Sequence, residues 1–163
     1  MSGIIYIDGA PEEFIGAKDY KDKVIHRVDG PALIFDNGSK FWYLNGERHR
    51  VDGPAIERAN GGREWWLHDK LHREDGPADV WSTGDKFWHL NGKQHREDGP
   101  AVEWVNGDKE WWLNGKRHRA DGPAVELADG HKEWWLHGKR YSFEEFLNAL
   151  PEEQAILLAL EWR

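Results

Sequence analysis

From residue 26 onward the apolar positions come in short bursts separated by polar turns. Pro100-Ala101-Val102-Glu103-Trp104-Val105 is followed, across Asn106-Gly107, by Lys109-Glu110-Trp111-Trp112-Leu113. Both stretches are rich in β-branched and aromatic residues and are too short for a helical period, so each predicts a strand. Asn-Gly or Asp-Gly between such runs predicts a hairpin. A second turn, Asn114-Gly115, leads the chain into His118-Arg119.

The pattern recurs. His-Arg begins at His26, His49, His72, His95 and His118, an interval of 23 residues each time. Each unit reads His-Arg-x-Asp-Gly-Pro-Ala, then a middle turn at Gly38, Gly61, Gly84, Gly107 or Gly130, then a Trp at Trp42, Trp65, Trp88, Trp111 or Trp134. A strict period means one structural unit repeated. The predicted fold class is mainly β: a repetitive antiparallel β-hairpin solenoid with short α-helical caps at both ends. Residues 26–140 form the five repeats. Residues 1–25 form an N-terminal cap, in which Ile5-Tyr6-Ile7-Asp8-Gly9 mimics Trp42-Tyr43-Leu44-Asn45-Gly46 and Pro11-Glu12-Glu13-Phe14-Ile15 starts a short helix. Residues 141–163 form the other cap. Ser142-Phe143-Glu144-Glu145 is a capping box opening a helix to about Leu150, and Pro151 starts a second helix whose Ala155, Ile156, Leu158, Ala159, Leu160 and Trp162 need burial on the last repeat. A homodimer through the C-terminal helices is the competing use of that apolar surface.

The turns Asn45-Gly46-Glu47-Arg48-His49 and Asn114-Gly115-Lys116-Arg117-His118, together with the period, resemble the MORN repeat over about residues 26–140. The departure is systematic: a MORN unit places Gly-x-Gly after the His, whereas this chain has Arg-x-Asp-Gly-Pro-Ala. The resemblance implies a β-hairpin array used for protein or membrane-surface contacts. Units of this variant type look like those of uncharacterised bacterial and phage proteins.

Composition narrows the chemistry. There are 11 Trp and 18 Gly but no Cys, which excludes disulfides, Cys-ligated metals and thiol nucleophiles. No run approaches membrane-spanning length and the N-terminus lacks a basic start, so the expectation is a cytoplasmic protein. A net charge of −8 disfavours direct nucleic-acid binding and favours a basic protein partner.

The repeated His, Arg and Asp invite a metal or catalytic reading, which spacing argues against. Two strands per repeat put equivalent histidines about 9–10 Å apart, whereas two ligands of one metal sit roughly 3–3.5 Å apart. A catalytic centre is normally unique, and this set recurs five times. No catalytic residue, cofactor or metal is therefore expected. Asp29 and its equivalents are assigned to the turn, Gly30 to a dihedral it permits, and His26 and Arg27 to bracing Asp29 or its neighbour.

If the middle turn is a two-residue hairpin, Val102 pairs with Trp111, Glu103 with Glu110 and Trp104 with Lys109. Val102, Trp104, Trp111 and Leu113 then form the core face, with the recurring Trp as an interior column. The opposite face carries the pairs Glu57–Glu64, Glu103–Glu110 and Glu126–Glu133 beside Trp66, Trp112 and Trp135. Like charges directly opposed cost stability, so this stripe is the candidate partner-binding surface. Two alternatives stand: Lys109, Lys132 and Arg63 neutralise the pairs, or a one-residue slip dissolves them. The expected function is a non-enzymatic protein–protein interaction scaffold gripping a basic surface, with a phage-encoded inhibitor of a host defence protein as one form of it. The other class is a small-ligand binder stacking a nucleotide or sugar on the Trp ladder.

Overall fold

The computed structural model describes residues 2–7, 9–15 and 24–162. The protein is mainly β, an antiparallel meander of thirteen short strands with two short helices. The described residues fall into two compact units, one within 1–83 plus 89–92, the other within 84–88 plus 93–163.

The first unit holds seven strands of the meander, in the order Ala10–Ile15, Ser2–Ile7, Leu33–Phe35, Lys40–Phe41, Ile56–Glu57, Arg63–Glu64 and Asp79–Val80. The short helix expected from Pro11 is instead the strand Ala10–Ile15, which pairs along its whole length with Ser2–Ile7. Three β-branched residues (Ile4, Ile5, Ile7) favour that partner strand, and Ile7 pairs with Ala10 around Gly9, whose φ is +84°. Pro11 is tolerated because Ala10–Ile15 is an outermost strand. The continuation of the expected cap through residues 16–23 lies outside the described residues. Ile5 and Ile7 are buried here, with Ile25, Leu33 and Phe35 packed against them.

The second unit orders its six strands as Lys86–Phe87, Val102–Glu103, Lys109–Glu110, Val125–Glu126, Lys132–Leu136 and Lys139–Tyr141. Helix α1 (Phe143–Asn148) and helix α2 (Glu152–Glu161) follow. Ser142 and Glu145 make both bonds of the capping box. Phe146 is fully buried, Phe143 packs on Trp134 at 5.0 Å, and the Gln154 side chain donates to the Ala120 carbonyl at 2.9 Å. The expected burial of α2 is met at Leu158 but not at Ile156 or Leu160, which are exposed with Leu157.

Within each unit the recurring Trp marks where the chain leaves the main ladder. Trp111 donates its backbone N–H to the Ala124 carbonyl (2.8 Å) and accepts from the His118 N–H (3.0 Å), and Trp112–Leu113 then pairs with Lys116–Arg117 as a separate two-stranded hairpin. Trp42 and Trp65 do the same in the first unit. Asn114 and Gly115 both have positive φ (52° and 78°), the geometry of a two-residue hairpin turn. The invariant alanines Ala32, Ala55, Ala78, Ala101 and Ala124 are fully buried. The recurring Trp, by contrast, do not form an interior column: every one is only half-buried.

The middle turn overturns the two-residue pairing. Trp104 exchanges backbone bonds with Asp108 and Gly107 (3.0 Å each), so the loop is Val105-Asn106-Gly107, three residues ending in a glycine at φ +98°. The Asn106 side chain accepts from the Asp108 N–H at 3.0 Å, which stabilises this longer loop. The same geometry recurs around Asn37-Gly38, Asn60-Gly61 and Asp129-Gly130. One extra loop residue shifts the register by one. Val102 now pairs with Glu110, and Glu103 with Lys109.

Candidate functional site

That shift removes the opposed glutamate pairs. Glu57 pairs with Arg63, Glu103 with Lys109 and Glu126 with Lys132, and across to the next repeat Lys40 faces Glu57, Lys86 faces Glu103 and Lys109 faces Glu126. Charges of opposite sign alternate along this row, which stabilises the sheet. The other three glutamates lie on the opposite face, paired with apolar residues: Glu64 with Ile56, Glu110 with Val102, Glu133 with Val125.

Glu64, Glu110 and Glu133 are 13%, 18% and 18% exposed, and each accepts a bond from the indole two residues on: Trp66 (2.9 Å), Trp112 (2.8 Å) and Trp135 (2.9 Å). Arg58 also bonds Glu64, Arg117 bonds Glu110, and Arg140 pairs with Glu133 at 3.1 Å. Burial pushes the Glu133 carboxyl up, but the Trp135 N–H, Arg140, His131 and Arg117 outweigh it and hold it below the usual range. Trp112 and Trp135 line one cavity of about 420 Å³, with Arg117 5.2 and 5.3 Å from their ring centres and Lys116 and His137 on its wall. Its exposed lining is cationic and aromatic, not acidic. The six glutamates and three tryptophans thus do not form one acidic stripe.

What the invariant heptapeptide builds is a clamp. Arg96 donates from Nε to Asp98 (2.8 Å) and from Nη1 to the Pro100 carbonyl (3.2 Å) and Glu103 (2.9 Å), with its guanidinium 4.2 Å from the Trp88 ring centre. Arg119 repeats this with Asp121, Pro123, Glu126 and Trp111, and Arg50 with Asp52, Pro54, Glu57 and Trp42. Arg27 and Arg73 keep the Asp, the carbonyl and the ring, Arg27 using Tyr6. The glycine of the heptapeptide serves close approach and not a dihedral. Gly99 does not adopt positive φ, and a Cβ there would lie 3.0 Å from the Arg96 guanidinium carbon.

The histidines brace a turn and not the aspartates. Nδ1 of His26, His72 and His95 accepts from the backbone N–H of Asn45 (2.9 Å), Asn91 (3.1 Å) and Asn114 (3.1 Å), and His49 and His118 do so from His68 (3.4 Å) and His137 (3.2 Å). An accepting Nδ1 puts the ring proton on Nε2. Burial, then the neighbouring His68 or His137 ring, lowers the pKa of His49 and His118. The unfolded chain therefore takes up more protons as pH falls through the histidine range, and stability present above it is lost there. Thermal melts by circular dichroism should show a lower Tm at about pH 5.5 than at about pH 7.5. His118→Asn, whose Oδ1 takes the place of Nδ1, should flatten that dependence.

Between consecutive heptapeptide loops lies a groove, found at equivalent positions in both units. In the second unit it has a volume of about 700 Å³, with Trp111, Leu113 and Pro100 as floor and Glu97, Asp98 and Asp121 on the rim. In the first unit the volume is about 600 Å³, with Trp65, Leu67 and Pro54 below and Val51, Asp52, Glu74 and Asp75 above. The rim carboxylates are about four-fifths exposed while the arginines are turned inward, between 18% and 25% exposed. Bonding to the adjacent arginine, then its charge, holds Asp52, Asp75 and Asp98 below the usual carboxylate range. The invariance of the heptapeptide assigns these loops to the scaffold. The signal was present in the one variable heptapeptide position, occupied by Val28, Val51, Glu74, Glu97 and Ala120.

One feature of the first unit has no counterpart in other repeats. Asp79 occupies a column otherwise filled by Leu33, Ile56, Val102 and Val125, and it pairs directly with Glu64. Burial raises its pKa, with the Trp81 N–H opposing and Glu64 adding to the rise. An acid so placed destabilises the fold once ionised. Asp79→Val should raise stability by about 1 kcal/mol at neutral pH, read from urea denaturation, and remove the loss otherwise expected as pH rises above the usual carboxylate range.

Among the described residues no group of three or more His, Asp or Glu is arranged to hold a metal, and no helix is long and apolar enough to cross a membrane. No protein-family model matches the chain, and no curated protein matches it.

Proposed function

We propose that this chain is a repeat scaffold of the solenoid type that binds another protein through its heptapeptide loop edge, the partner presenting a basic surface. The observation that carries this reading is the groove that recurs in both units with an apolar floor and exposed, ionised carboxylates on its rim. Apolar floors supply contact area and rim charges supply steering. The net charge of −8 works in the same direction. The paired glutamates belong to the scaffold in this reading, since each already has a cationic or indole partner.

A photo-crosslinking residue at Val51, which is 84% exposed on the rim, tests it in extract from the native host. A discrete protein adduct, suppressed by high salt and absent when the residue is placed at Leu160 on α2, is the expected result. Adducts of equal yield from both positions reject the loop edge as the binding surface. The alternative of a small anionic ring ligand draws on the cavity beside Trp112, Arg117 and Trp135. A thermal shift with nucleotides but none with basic peptides would favour it.

A further inference from the structure

We propose that the heptapeptide loop edge of the first unit receives a polyproline II segment carrying a basic residue at every third position, one turn of ligand per repeat of scaffold. This deepens the interaction reading above and rests on it.

Scaffold repeat and ligand turn are nearly equal in length. In the first unit the repeats beginning at His26 and His49 each contribute two strands to the main ladder, so equivalent points of consecutive repeats are about 9.4–9.8 Å apart. A polyproline II helix has three residues per turn at ~3.1 Å each and returns a side chain to the same face every ~9.3 Å. A β-strand covers a similar distance in three residues, but its side chains alternate, so residues i and i+3 point to opposite faces. An α-helix returns to one face after seven residues, roughly 10.5 Å, and drifts by about 1 Å at every repeat. Of the three regular conformations, polyproline II keeps the same side chain closest to the repeat of the loops, its turn falling roughly 0.1–0.5 Å short of the scaffold spacing.

Groove chemistry fits the same occupant. Trp111, Leu113 and Pro100 form an apolar floor suited to a pyrrolidine ring, as do Trp65, Leu67 and Pro54. The arginine Nε holds Oδ1 of Asp52, Asp75, Asp98 and Asp121, while these carboxylates remain exposed toward solvent. Glu74 and Glu97 add a second exposed acid beside Asp75 and Asp98, 3.7 Å from the nearest histidine nitrogen in each case. In the first unit a lysine or arginine projecting from each ligand turn meets Asp29, Asp52 and Asp75 in turn, all about four-fifths exposed. A preformed polyproline II segment also loses little conformational entropy on docking.

The probe is a fluorescein-labelled (Lys-Pro-Pro)4 peptide, with anisotropy read at low ionic strength on the full chain. The comparison peptide has the same composition with its lysines in one block, Lys4Pro8. The periodic peptide should bind about tenfold more tightly than the block peptide. Val51→Lys with Glu74→Lys, two exposed rim positions of the first unit, should weaken it by at least about tenfold with an unchanged Tm. Equal binding of the two peptides overturns the three-residue period while leaving the basic-partner reading intact. Binding of neither peptide, with a salt-sensitive adduct still formed at Val51, likewise overturns this inference alone. Binding of neither and no adduct overturns both.

Discussion

Replacing Phe146 with alanine is expected to destabilise the second unit by about 3–5 kcal/mol, the largest effect of any single truncation considered. Phe146 has no exposed surface and is the only buried residue of α1. A helix of six residues has no stability of its own and exists only through the face it packs. That face joins Phe143 on Trp134 and, beyond Pro151, the Gln154 contact with Ala120, so a cavity at Phe146 loosens both helices together. Urea denaturation should show the drop with little change in m. Leu157→Ala, at a position 68% exposed, should stay within about 0.5 kcal/mol of the parent.

Arg96→Ala should cost about 2–4 kcal/mol, well above the 0–1 kcal/mol of an ordinary surface ion pair. The Arg96–Asp98 pair contributes little of this, because Asp98 is 84% exposed and solvent screens it. The larger part comes from the Trp88 ring that loses its cation and from Glu103 and the Pro100 carbonyl, which lose a part-buried donor. Arg96→Lys should recover less than half of the loss, since one ammonium cannot reach Asp98 and Glu103 while lying flat on the indole. Gly99→Ala pushes a methyl toward the same guanidinium and should reproduce part of the defect, about 1 kcal/mol. Equilibrium denaturation of the three variants side by side checks the order Ala, Lys and Gly99→Ala, from most to least damaging.

Much of the architecture was legible in the sequence because the period imposes it. Lys109-Glu110 and Trp112-Leu113 are strands as their composition favours, although the chain changes sheet at Trp111 between them, Asn114-Gly115 makes the two-residue turn its residues favour, and the capping box at Ser142 closes as written. The register was not legible. Asn106-Gly107 suits a two-residue turn and equally the end of a three-residue one, and the choice is made by the Asn106 carbonyl reaching the Asp108 N–H. That single residue decides whether Glu103 faces Glu110 or Lys109, and hence whether an acidic stripe exists. Pro11 misled for a related reason, since proline suits the first turn of a helix and also an outermost strand. The role of Gly99 was hidden because the side chain that needs its space, Arg96, stacks on a Trp from the preceding repeat.

On the proposed function the acidic residues divide into scaffold and binding surface. The most direct test compares two sets of glutamate-to-glutamine variants, Glu57/Glu103/Glu126 and Glu74/Glu97, for Tm and for affinity toward (Lys-Pro-Pro)4. The first set, bonded to Arg50, Arg96 and Arg119 and facing Arg63, Lys109 and Lys132, should lower Tm and leave affinity unchanged. The second set, exposed on the groove rims, should weaken binding and leave Tm unchanged. The reverse pattern, with affinity following Glu57, Glu103 and Glu126, would contradict the account.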